Sequence, residues 1–235
     1  METLMTENPN RYCLPLDEMV PTIPPSPDTA SRGFIVDNLK WSPFDRITIR
    51  FLGGHPSLQA RVRTTAEEWL QHANLVFDWR NSGPADIRIA FNPGGSWSYL
   101  GKVCRQIPEP QPTMNYGWLT PQSPDDELRR VVLHEFGHAL GMIHEHQNPE
   151  GGIQWNRAAV IQDLSGPPSN WDEATIENNM FKKYDPDEGT ATTFDPDSIM
   201  LYPIPASWTT NGFSSGLNRE LSPLDSELMR QVYPR

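Results

Sequence analysis

The stretch that decides the reading is His134-Glu135-Phe136-Gly137-His138-Ala139-Leu140-Gly141-Met142-Ile143-His144. On a helix, His134 and His138 stand about one turn apart along the axis and about 40° apart around it, so two imidazoles can grip one ion. Glu135 lies about 60° from His138, beside such an ion but directed past it, where a carboxylate could hold a water that the ion activates. A continuous helix would carry His144 about 15 Å from His134 and onto another face. Gly141 removes that obstacle: a residue tolerant of left-handed backbone angles ends the helix and lets the chain double back, bringing His144 to the other two. The result is a three-histidine zinc site with a position left for water. A bare HExxH arises by chance in amphipathic helices, but the glycine and the third histidine are independent requirements, and both are met.

A second stretch, Asp197-Ser198-Ile199-Met200-Leu201-Tyr202, sits in a proline-rich loop further along the chain. Alone, Met200 would be ordinary core filler. Together, HExxHxxGxxH and the Ser-Ile-Met-x-Tyr turn resemble the metzincin clan of zinc endopeptidases. Within that clan, His144-Glu145-His146 and Tyr202 are most similar to the astacin family and its bacterial relatives. The resemblance implies that Met200 is the methionine of a Met-turn, flooring the zinc, and that Tyr202 is an extra, displaceable fifth ligand. It implies that Glu145 receives the amine of a newly trimmed N-terminus, against the alternative of an ordinary surface glutamate. It also implies an α+β zincin fold with a mixed, twisted sheet, two long helices, one of them carrying the zinc site, and a loop-rich C-terminal lobe closed by a final helix. The motifs occupy only the two stretches quoted, while the likeness runs from about Phe34 onward. Astacins usually carry more cysteines than the two found here, Cys13 and Cys104, so the chain departs from the animal branch.

Composition narrows the partners. With 235 residues the chain can bury a sizeable core, and a net charge of −11 argues against nucleic acid or an anionic membrane as the main partner. No apolar run is long enough to span a bilayer. The expected partner is a protein or peptide substrate, met by a monomer. Twenty-four prolines point to many loops. The opening Met1 to Asn8 carries acids and no basic start before an apolar run, so it does not read as a secretory signal, whereas the resemblance favours a secreted protein. The compartment stays open.

Residues 1–33 read as an extended proline-rich arm and candidate pro-segment, and residues 34–235 as the catalytic domain, with an N-terminal lobe to about 144 and a C-terminal lobe beyond. Arg11-Tyr12-Cys13 in the arm loosely resembles the cysteine switch of matrix metalloproteinase propeptides, although Tyr12 separates arginine from cysteine. Cys13 is therefore a candidate latch on the zinc; a Cys13 to Cys104 disulfide and two unrelated thiols are the alternatives. The alternation in Ile47 to Leu52 predicts a strand, Pro56 opens a helix to about Ala73, and strands follow at 75–79 and 86–91. Trp69, Phe77 and Trp79 are expected in the core. The run from Asn92 to Gly101 looks like a loop leading into a short edge strand. The metzincin resemblance implies that such an edge forms the cleft's upper rim and pairs with an extended substrate, which makes Ser96, Trp97, Ser98 and Tyr99 the candidate rim, with a structural turn as the alternative. Residues 113–119 read as the last strand, 155–164 and 223–232 as helices. His146 is expected to support the site rather than bind the ion. The acidic loop from Asp185 to Gly189 could take calcium but lacks a recognised loop motif.

The chemistry expected is peptide-bond hydrolysis, with Glu135 taking the proton of a water activated at the zinc. Two rivals share the residues: a noncatalytic zinc-stabilised peptide-binding domain, which would usually lose Glu135, and a zinc hydrolase of a nonpeptide amide. The wall of the pocket beyond the scissile bond (S1′) is expected from residues 195–208, without a residue that closes it.

Overall fold

The computed structural model describes residues 14–16 and 34–235, apart from 150, 168, 186, 188 and 191. In chain order the elements are β1 Leu14–Leu16, β2 Ile35–Val36, β3 Arg46–Phe51, α1 Pro56–Ala66, β4 Val76–Arg80, β5 Ile87–Ala90, β6 Trp97–Tyr99, β7 Met114–Asn115, α2 Asp125–Ala139, α3 Arg157–Ser165, α4 Glu173–Ile176, β8 Gly189–Thr190 and α5 Pro223–Val232. The architecture is α+β, as expected.

Six strands form one mixed sheet in the order β1-β6-β7-β5-β3-β4. β3 pairs in parallel with β4 and β5, β5 in parallel with β7, and β6 runs antiparallel to β7. β3 alternates as its sequence suggests, with Ile47 and Ile49 fully buried. Those side chains meet Leu58, Val62 and Trp69 from α1 and its extension, and Val131, Val132 and Phe136 from α2. Phe77 and Trp79 are only half-buried, but both rings pack against Phe136. The expected helix to Ala73 is shorter than the pattern: it tightens into a 3₁₀ turn over Glu67–Gln71, which turns Trp69 inward so that its indole donates to the Leu133 carbonyl at 3.1 Å. The expected strand over 113–119 keeps only Met114–Asn115, because Tyr116 still bonds back to Ala90 but the chain then turns away at Gly117.

A second core fills the C-terminal lobe: Val160, Leu164, Ile176, Met180, Leu201, Tyr202, Ile204 and Trp208. That lobe holds more helix than its proline content suggested, since α4 continues as a π-helical turn over Glu177–Phe181. The backbone passes from the first core to the second between Met200 and Leu201. Among the described residues, no helix is long and apolar enough to cross a membrane.

Candidate metal centre and cleft

α2 carries Asp125, Asp126 and Glu127 in its first turn, where its dipole favours acids, and buries His134, Glu135 and His138 in its last turns. It ends by a complete accounting of its carbonyls. Gly141, at φ 100°, donates to the His138 carbonyl at 2.8 Å, and Met142 donates to Gly137 at 2.9 Å. That is a Schellman cap built on a left-handed glycine. The Ala139 carbonyl accepts from the Trp41 indole at 2.8 Å and the Leu140 carbonyl from the Tyr233 hydroxyl at 2.6 Å. The helix end is thus pinned from both chain directions, and the reversed chain delivers His144.

His134, His138 and His144 come together with their ligating nitrogens all within 4.8 Å of one another, each ring buried. The Nδ1 atoms of His134 and His138 lie 2.7 Å from the carbonyls of Ile199 and Met142, so these nitrogens donate and the Nε2 lone pairs face inward. His134 Nε2 is buried with no hydrogen-bond partner, and His138 Nε2 stands 3.2 Å from His144 Nε2. Two imidazole nitrogens on one tetrahedral zinc would be about 3.3 Å apart. The donor set therefore fits zinc. Burial, and next the neighbouring His138, hold the protonation of His134 and His144 well below the ordinary histidine range, leaving neutral imidazoles.

Met200 is fixed at both backbone groups: its N–H donates to Ser198 Oγ at 3.0 Å, and its carbonyl accepts from the Glu145 N–H at 3.1 Å. Its thioether lies against Gly137, between the two helical histidines, where any Cβ on Gly137 would collide with the sulfur. Tyr202 is buried with its ring centroid 4.1 Å from that of His144 and 4.8 Å from that of His146. His146 stacks on His144 and bonds through Nε2 to the Asn179 carbonyl at 2.7 Å; burial pushes it down to about 4. Glu145 is not the surface glutamate entertained above. It is 4% exposed and accepts from Asn148 Nδ2 and the Asp195 N–H, each at 2.9 Å. Burial, with Asp225 and Asp195 nearby, pushes it up to about 8.

Glu135 lines a pocket beside His134, with Trp118, Arg130, Leu201, Tyr202 and Leu217 among its other walls; the space between them, counted together with the solvent at its mouth, is about 380 Å³. The sequence reading anticipated the 199–203 side of this pocket. It missed Arg130, which its spacing four residues before His134 could have revealed, and Leu217, which only tertiary folding brings near. Ser96, Trp97, Ser98 and Tyr99 lie at the sheet's edge region, with Ser96 and Ser98 buried; strand β6 pairs in parallel with β1 in the register Leu14 with Trp97. Cys104 is a buried free thiol, pushed up to about 12 by burial. Cys13 lies outside the described residues, as do two of the residues in the acidic loop considered for calcium.

The family model for astacin, described as a peptidase family, matches residues 36–233. Bone morphogenetic protein 1 of Xenopus laevis is 27% identical over 163 residues, 68% of this chain and 19% of that protein. Zinc metalloproteinase dpy-31 of Teladorsagia circumcincta is 27% identical over 223 residues, 86% of this chain and 32% of that protein. The chain thus spans about a third or less of the length of these curated relatives. Among solved structures, myroilysin is similar with a TM-score of 0.85 and 42% identity, covering 86% of this chain and 99% of that one. The hatching enzyme zinc-protease of Oryzias latipes, at 16% identity over 83% of this chain and 94% of that one, with a TM-score of 0.56, shares the fold.

Proposed function

The chain belongs to the astacin family of zinc peptidases, and on that premise we propose that it is a zinc-dependent endopeptidase in which Glu135 carries the proton of peptide hydrolysis. His134, His138 and His144 would hold the ion, with Tyr202 as a displaceable further ligand. The single observation that carries the reading is the convergence of three buried imidazoles, one of which, His134, lines the cleft together with Glu135. When bound, zinc supplies a Lewis acid that polarises a carbonyl and brings the pKa of a water to about 7. Glu135 takes the proton of the water that adds to the scissile carbonyl, and it returns a proton to the leaving amine as the C–N bond breaks. Tyr202 turns its hydroxyl to the oxygen that gains negative charge. Met200, packed on Gly137, keeps the last turn of α2 from shifting under the two histidines.

The arm belongs to the same reading. Leu14–Leu16 adds a strand to the edge of β6, the edge an extended substrate would use, so the full-length chain occupies its own rim. Removal of residues 1–33 then exposes that edge.

The test is a timed digestion of unfolded casein by the full-length protein and by Glu135→Gln, with zinc measured in both and the N-terminus sequenced afterwards. Wild type should cut, and the zinc-loaded variant should lose about 10²- to 10⁴-fold in rate. Substantial residual turnover by Glu135→Gln would remove Glu135 from the role of base, and zinc in both without cutting by either, even after residues 1–33 are removed, would favour a peptide-binding domain.

A further inference from the structure

The pocket beside Glu135 has apolar walls from Trp118, Val131, Ile199, Leu201, Pro203 and Leu217, polar lining from His134, Glu135, Tyr202 and Asn218, and one cation, Arg130. That cation is already engaged. Arg130 donates through Nε to one oxygen of Glu127 and through a terminal nitrogen to the other, both at 2.9 Å. The fork is nearly enclosed, with the two side chains 13% and 14% exposed. Glu127 is held from two further directions. The Trp118 indole donates to it at 2.8 Å, and it sits in the first turn of α2, where the helix dipole favours a carboxylate. Glu127 itself does not line the pocket; it stands behind the arginine.

We infer that this pocket selects an apolar substrate side chain immediately beyond the scissile bond, and that Glu127 sets the selection by holding the Arg130 guanidinium. The inference rests on the peptidase reading above. An aspartate or glutamate entering the pocket would have to draw Arg130 from its bidentate partner, leaving a buried carboxylate uncompensated, or stay without a cation in a pocket that Glu135 also lines. A leucine or phenylalanine meets the indole and aliphatic walls and disturbs no pair. Glu127 is thus a positioning residue, acting on substrate only through Arg130.

The test uses peptides identical except for Leu, Phe, Asp or Glu after the scissile bond, given to the zinc-loaded protein before and after residues 1–33 are removed. kcat/KM is read by mass spectrometry, and affinity for the Leu and Asp peptides by calorimetry on Glu135→Gln. We expect leucine to be preferred over aspartate on the order of 100-fold. Glu127→Gln should narrow that ratio about tenfold by improving the aspartate peptide, since freeing the guanidinium offers a charge-assisted bond. Glu127→Asp should keep the ratio close to wild type, and Arg130→Gln added to Glu127→Gln should restore it. Should Glu127→Gln not fold, Arg130→Gln alone decides: the preference for leucine must be at least as large as in wild type, and a fall overturns the inference. Equal use of Asp and Leu by wild type, or a ratio that Glu127→Gln leaves unmoved, also overturns it. If the protein cuts nothing yet Glu135→Gln binds the leucine peptide more tightly than the aspartate one, the pocket assignment stands and the peptidase reading falls. If the protein cuts but takes both alike, the pocket assignment alone falls; if nothing is bound or cut even after residues 1–33 are removed, both do.

Discussion

Two residues decide whether the histidines meet and what they meet for. Gly141 holds φ at 100°, and an added Cβ would stand 3.2 Å from Ile35 Cγ2. Gly141→Ala should therefore cost about 1–2 kcal/mol of folding stability for the left-handed backbone alone, read by denaturant unfolding. It should also loosen zinc through His144, and an unchanged zinc affinity in a chelator competition would show that the reversal does not depend on this residue. Tyr202→Phe keeps the ring that packs on His144 and His146 while removing the hydroxyl. It should retain zinc and lose on the order of 100-fold in kcat with little change in KM; a kcat close to wild type would take Tyr202 out of the reaction.

At the scale of elements, α5 is what holds the Met200 turn in place. Its N-terminus is a reciprocal capping box, in which Asp225 N–H donates to Ser222 Oγ and Ser222 N–H to the Asp225 carboxylate. The same carboxylate accepts from Ser198 Oγ at 2.7 Å and from the Ile199 N–H at 2.8 Å, so one side chain caps a helix and ties down the loop that carries Met200. Burial outweighs those donors and, with Asp195 nearby, raises Asp225 to about 6 from an ordinary 3.8. An acid raised on folding contributes stability that is whole below about pH 4 and lost as pH climbs through about 6. Measured as urea unfolding at pH 4 to 7, wild type should lose up to about 3 kcal/mol relative to Asp225→Asn over that range. A difference that stays flat with pH would mean that Ser198, Ile199 and Ser222 keep the carboxylate ionised.

For the whole molecule, the cleft lies where two cores meet. Met200 belongs to the core under the sheet and Leu201 and Tyr202 to that of the C-terminal lobe. β6, the strand proposed as the substrate rim, is the one that β1 covers. If the arm occupies the rim as proposed, removing residues 1–33 should raise the rate of casein cleavage by about tenfold or more, the size of effect expected when a tethered segment at millimolar effective concentration no longer competes. Equal rates from trimmed and untrimmed protein would show that β1 does not obstruct substrate.

Much of this was legible in the residues. A helix period that aligns His134 with His138, a glycine that must break it, and Met200 two positions before Tyr202 are local patterns, and local geometry is what spacing encodes. β3, α2 and α5 could be read for the same reason, from alternation, helical periodicity and a proline-opened cap. The two-residue β7, the 3₁₀ turn that buries Trp69 and the π turn after α4 left no periodic trace, because distant side chains decide them. The burial of Glu145, the capture of Arg130 by Glu127 and the hold of Asp225 on the Met200 turn were likewise beyond reach. Each depends on residues far apart in the chain, or on which face of a helix meets a wall, and burial sets the charge state of such groups more strongly than their neighbours in sequence do. The sequence by itself determined the donor set and the family of folds that could present it. Only the tertiary structure decided how the cleft is walled, because a pocket exists between elements and spacing along one element cannot describe it.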